Sequence, residues 1–194
     1  MNLPVPFKQE VKKPEPTWSH IAGIHVEEDG SGAVVWLGQD KDGKKATGRI
    51  TLYDSWVFEP GTHFALIADA IKARGDGRVS IAWEVSDEFF VKALRDRGCK
   101  FLAEGYTETP DICATDVREI GEKLSSGLFF VLNTNTVWFA EYEGFVPKDG
   151  VIPQSGFPLM SATRHALHFL RRAKPLERAK RKTLALNYWG GSVA

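Results

Sequence analysis

Residues 21–57, IAGIHVEEDGSGAVVWLGQDKDGKKATGRITLYDSWV, decide the fold. Ile21-Ala22-Gly23-Ile24-His25-Val26 is a strand signal, and the polar run Glu27 to Gly32 is a turn with Gly30 and Gly32 in it. Ala33-Val34-Val35-Trp36-Leu37 is a second strand, and Asp42-Gly43 marks a hairpin turn. Arg49 to Val57 alternates and is rich in aromatic and β-branched residues, which predicts a third strand. Three strands joined by short polar turns make an antiparallel meander.

Beyond the meander the period lengthens. Phe64, Ile67, Ala68 and Ile71 fall on one helical face, and Gly75 stops that helix. Val79 to Trp83 is a short apolar strand. Ser86 is placed to cap a helix running to about Arg97, with Asp87 and Glu88 in its first turn. Lys100 to Ala103 reads as strand, Asp111 to Ser125 as helix, Leu128 to Leu132 as strand and Val137 to Phe145 as a short helix. Leu159, Thr163, Ala166, Leu167 and Leu170 trace the apolar face of a last helix. Its other face carries Arg164, His165, His168, Arg171 and Arg172, which reads as a polar surface. A meander followed by βαβα alternation and a helix predicts an α/β fold: a mixed sheet, antiparallel then parallel, with helices on both faces. The ribonuclease H-like fold has this order.

The whole-chain numbers bound the function. With 194 residues and 43% hydrophobic content, one domain can bury a core unaided. The 25 basic and 25 acidic residues cancel, but not locally. Arg171, Arg172, Lys174, Arg178, Lys180, Arg181 and Lys182 form a basic run broken by Glu177 alone, so the rest of the chain is acidic. That run suits phosphate backbones, or a solvated helix end. Cys99 and Cys113, the two cysteines, have no CxxC spacing, which argues against a disulfide framework or a cysteine-built zinc site and suits a reducing cytoplasm. No apolar run is long enough to span a membrane, and no Walker A loop occurs. Residues 1–17, with Pro4, Pro6, Pro14 and Pro16, read as an irregular leader; 18–173 as the folded domain; 174–194 as a basic tail. Leu186, Tyr188 and Trp189 in that tail suggest docking to a partner.

Seven segments, in order, resemble the nuclease domain of phage terminase large subunits. They are Ile21-Ala22-Gly23-Ile24-His25, Ala33 to Leu37 with Leu52-Tyr53-Asp54, Ile67 to Gly75, Ile81-Ala82-Trp83, Gly127 to Val131, Trp138 to Tyr142, and Leu159-Met160-Ser161-Ala162-Thr163-Arg164-His165-Ala166-Leu167. The resemblance implies a ribonuclease H-like fold, a role in viral DNA packaging in the host cytoplasm, and DNA, a packaging ATPase, portal or another phage or host protein as partners. Active members of the family cut DNA with two divalent ions held by carboxylates. Magnesium or manganese prefers oxygen ligands, and two adjacent ions need several negative charges.

At those positions the sequence departs from the family. The family's first-strand aspartate is replaced by His25, and the acidic pair before the closing helix by Phe157-Pro158. Near the remaining position stand Glu84 and Asp87. The expectation is therefore a domain without the cut and without a cofactor, acting by binding. One rival is an active DNA endonuclease with a rearranged metal site built from His25, Glu27, Glu84 and Asp87, with magnesium or manganese if active; a second is a phage interaction protein that reuses the fold. His165 and His168 share a helix face but have no evident third ligand, so they read as surface histidines beside arginines. The ATPase half of a terminase is missing; the chain, opening at Met1, reads as a separate gene product or an excised domain.

Overall fold

The computed structural model describes residues 4, 6–9, 15, 17–42, 45–75, 77–145, 152–153 and 155–176. The meander forms as expected. Strands β2 (Ser19–Val26), β3 (Gly32–Asp42) and β4 (Lys45–Phe58) pair antiparallel, with Ile24 opposite Val34 and Val35 opposite Ser55. Strand β5 (Ile81–Ala82) runs parallel to β2, and β6 (Phe129–Leu132) parallel to β4. The expected strand over 100–103 reduces to a single bridge, Phe101 with Ile81.

The leader departs from expectation. Its residues Phe7–Gln9 form β1, which pairs parallel with β6 at the sheet edge. Proline lacks only its own N–H, so the segment after Pro6 is free to pair, and an edge strand tolerates proline nearby. The Tyr142 hydroxyl donates to the Pro4 carbonyl at 2.6 Å, tying the leader to the domain. The strand order is β1-β6-β4-β3-β2-β5, and β7 (Lys174–Pro175) adds to β2 at Ser19 and His20.

Alternation along the strands builds two cores, because successive side chains point to opposite faces. Ile21, Val35, Leu37, Leu52 and Val131 meet helices α3 (Pro110–Ser125), α4 (Thr136–Gly144) and α5 (Pro158–His168). Ala22, Ile24, Val34 and Trp36 meet α1 (Phe64–Gly75) and α2 (Glu88–Arg95) on the other face. The mixed sheet with helices on both faces is the expected architecture. Thr109 caps α3 by accepting from Ile112 N, with Pro110 in the first turn. Ser86 caps nothing: Val85–Asp87 is a 3-10 turn leading into α2.

Helix α5 lies closer to the sheet than its periodicity indicated. A Cβ on Gly23 would collide with the Ala162 carbonyl oxygen and the Ala166 backbone, so only glycine permits this contact. The second side of α5 is covered too, by Tyr106, Glu108 and Cys113. The predicted polar surface of this helix is therefore divided. His165 is fully buried and Arg164 is 1% exposed, whereas His168, Arg171 and Arg172 reach solvent. Arg164 pairs with Glu108 at 2.8 Å, donates to Ser161 Oγ at 2.9 Å and contacts Cys113 Sγ. A 3.6-residue period separates one face from another but does not reveal how many faces are covered.

Candidate functional site

Three side chains converge where β2 ends. His25 stands at the end of β2, Glu84 just after β5, and His165 in the middle of α5. One ligand atom from each lies within 4.8 Å of the others, and no second such group occurs among the described residues. His25 Nδ1 is 3.5 Å from Glu84 Oε2, and His165 Nε2 is 4.0 Å from the same oxygen. The two imidazole rings meet edge-on with centroids 5.6 Å apart.

The surroundings fix the His165 ring. His165 Nδ1 lies 2.8 Å from the Ile24 carbonyl, which can only accept, so Nδ1 carries the proton. That leaves Nε2 as a lone-pair nitrogen, buried and without a hydrogen-bond partner. Burial pushes the His165 pKa down to about 3, helped by the neighbouring His25, so the ring is neutral at physiological pH. On its other side His25 turns Nε2 toward Glu27 at 3.7 Å. The adjacent His25 holds the Glu84 carboxyl below its usual range, against its own burial.

More acids surround this point. Burial raises Asp87 to about 7, and its Oδ2 has no hydrogen-bond partner. Burial also raises Glu141 to about 7, although Oε1 accepts from Met160 N at the start of α5. Glu27 accepts from Gly156 N at 3.1 Å, bridging to the loop before α5. An open cleft of about 1030 Å³ joins these residues, lined by His25, Glu27, Glu28, Asp29, Glu84, Asp87 and Glu108 among others. Among the described residues the wall carries many carboxylates and no lysine or arginine, so it repels a phosphodiester unless a cation is present.

Of the sequence-derived candidates, His25, Glu27, Glu84 and Asp87 all reach this cleft. The third ligand that the sequence did not supply is His165, and Glu141 of α4 is a further carboxyl nearby. Both lie in segments that carried the resemblance, but their letters read as helix surface. Phe157 and Pro158 indeed start α5 and offer no ligand there. The basic candidates are elsewhere. Arg171 and Lys174 are exposed, and Arg172 pairs with Glu104 at 2.9 Å. Lys174 pairs with His20, five residues from His25 along β2, or about 16 Å at strand rise. Arg178, Lys180, Arg181, Lys182 and the tail aromatics lie outside the described residues.

The pair of hard ions used by carboxylate nucleases does not fit this donor set. Two imidazoles occupy the convergence point, and a single carboxylate joins them.

Compared by sequence, the chain matches no protein-family model and no curated protein. Compared by structure, it is similar to the nuclease domain of the P22 large terminase, with a TM-score of 0.75 and 17% identity over 88% of this chain and 90% of that one. The large terminase nuclease domain of bacteriophage SPP1 with bound manganese gives a TM-score of 0.60 and 20% identity over 79% and 86% of the two chains. The large terminase nuclease of thermophilic phage G20c with bound magnesium gives 0.57 and 14% identity over 86% and 92%. These likenesses span almost the whole of each partner domain, and the chain has the ribonuclease H-like fold of the large-terminase nuclease domains.

Proposed function

We propose that the chain serves phage DNA packaging as a nuclease-type domain that has given up the two-metal cut and works by binding DNA or another part of the packaging machinery. One observation carries this reading. Where two hard ions would need carboxylates from three directions, the chain places His25, the Phe157-Pro158 start of α5, and a Glu84 already engaged by two imidazoles. In-line displacement at phosphorus by a pair of ions requires both to be held about 4 Å apart by carboxylates that reach them together, and at the convergence point Glu84 is the one carboxylate beside two imidazoles. Arg171 is exposed, and the exposed Lys174 lies beside the start of β2, away from the cleft, where basic side chains are open to a polyanion.

The test is plasmid cleavage in magnesium or manganese, run beside DNA binding at rising salt. The expected result is no cutting, with binding that falls steeply as salt rises and weakens when Arg171 and Lys174 are neutralised. Magnesium-dependent cutting abolished by Glu84→Ala would overturn the reading. His165 favours a second reading, a DNA endonuclease with a rearranged metal site, because it completes a ligand set. Cutting that requires a transition metal and is lost in His25→Ala is its signature.

A further inference from the structure

We propose that His25, Glu84 and His165 form a binding site for one zinc-class divalent ion, a site chemically different from a paired-magnesium centre. The proposal does not rest on the role in DNA packaging, because it concerns what the side chains coordinate and not what the domain then does.

His165 Nε2 is the first ground. A fully buried nitrogen lone pair, without a partner, is costly unless something meets it. It points at Glu84 Oε2, 4.0 Å away, which as a carboxylate oxygen is also an acceptor and cannot satisfy it. A cation between the two satisfies both. The bond from Nδ1 to the Ile24 carbonyl leaves Nε2 as the nitrogen with the lone pair that binds a metal.

The surroundings of the two rings are the second ground. Ring nitrogens that bind metals have their other N–H held by a carbonyl or carboxylate, which fixes tautomer and orientation. His165 has such a partner in the Ile24 carbonyl at 2.8 Å, which turns Nε2 toward Glu84. His25 lies between two carboxylates, Nε2 at 3.7 Å from Glu27 and Nδ1 at 3.5 Å from Glu84.

Distance and donor chemistry select the ion. Zinc bonds of about 2.0–2.1 Å put tetrahedral ligands roughly 3.4 Å apart. The His25–Glu84 separation is already 3.5 Å, His165 is 4.0 Å from Glu84, and no two of the three donor atoms are more than 4.8 Å apart, so small side-chain shifts bring the set to zinc spacing. Two imidazoles and one carboxylate suit zinc, cobalt or iron over magnesium, which demands oxygen ligands and keeps its waters. Three protein ligands leave a fourth position, and it faces the cleft, since His25 and Glu84 both line its wall. The site therefore binds an ion with an open coordination position, available to water or to a phosphate oxygen.

The test is a calorimetric titration of the chelator-treated full chain with zinc chloride in a magnesium-containing buffer. The expected result is one zinc per chain, with affinity reduced about tenfold or more in Glu84→Gln and in His25→Ala and unchanged in His168→Ala. Circular dichroism confirms that each variant is folded. The parent protein gives a check that needs no variant: zinc shifts the ring-nitrogen NMR signals of His25 and His165 and leaves those of His20, His63 and His168 in place. Absence of zinc binding to the folded parent overturns the proposal. So does binding that Glu84→Gln and His25→Ala leave intact, or zinc-induced shifts confined to the other histidines.

Discussion

His165 Nδ1 donates to the carbonyl of Ile24 across 2.8 Å, so α5 and strand β2 are pinned by a side-chain hydrogen bond in a fully buried place. The same ring presents its other nitrogen to Glu84. One residue thus joins the packing of α5 on β2 to the geometry of the candidate site. In metal-free protein, His165→Ala removes the hydrogen bond and leaves a cavity, at a cost of roughly 2–4 kcal/mol. Urea unfolding measures it.

The contact beneath that ring is steric. Gly23→Ala drives a methyl group into the Ala162 carbonyl, and backbone cannot swing aside as a side chain does. The expected loss is about 3 kcal/mol or more, with α5 displaced. Gly30→Ala is the control. Gly30 has φ of 83° and open space around it, so the change costs only about 1 kcal/mol of backbone strain. Equal effects of the two substitutions in thermal melts would refute the close packing of α5.

Arg164 and Glu108 give a third prediction. Arg164→Met leaves Glu108 with its charge unpaired beside the cleft, and removes the donor to Ser161. The destabilisation is about 3 kcal/mol. The double variant with Glu108→Gln recovers a good part of it, which a double-mutant cycle reads directly.

The pH dependence has two opposing parts in metal-free protein. Burial lowers the His20 pKa, and that of His165 to about 3. The unfolded chain binds those protons first, so their contribution is complete above about pH 6.5 and is lost as the pH falls below it. Glu141 works the other way. Its folded pKa, raised by burial to about 7, means that the folded state holds the proton longer. Its contribution is complete below about pH 4.5 and is lost as the pH rises through about 7. Glu141→Gln keeps an acceptor for Met160 N and removes the charge. It stabilises by roughly 1–2 kcal/mol near pH 8, less than the full shift because the carboxyl is partly exposed, and by nothing near pH 4. Denaturant midpoints across that range measure the difference.

The fold was legible where patterning and burial agree. The apolar run Ala33 to Leu37 and the alternation of Arg49 to Val57 marked the meander, and the spacing of Cys113, Val117, Ile120 and Leu124 marked α3. The site was half legible. His25, Glu27, Glu84 and Asp87 followed from the positions at which carboxylates were expected, and they share one cleft. His165 and Arg164 were not, because polar letters in an amphipathic helix imply solvent, whereas α5 is covered on two sides. Glu141 was hidden for a related reason: its role depends on the start of α5 coming within hydrogen-bonding reach of α4, a contact between segments distant in sequence. The leader strand escaped because pairing at Phe7–Gln9 depends on the edge of β6 being open, not on any local signal.

The central claim is that a fold used elsewhere for carboxylate-held ions here carries a histidine-rich centre for one ion. Anomalous diffraction from crystals equilibrated with zinc and manganese together tests it most directly, because the two metals are distinguished at their absorption edges. The account predicts one zinc peak bounded by His25, Glu84 and His165, with no second ion beside it. Two manganese peaks bridged by Glu84 and Asp87, with the His165 ring uninvolved, would contradict it.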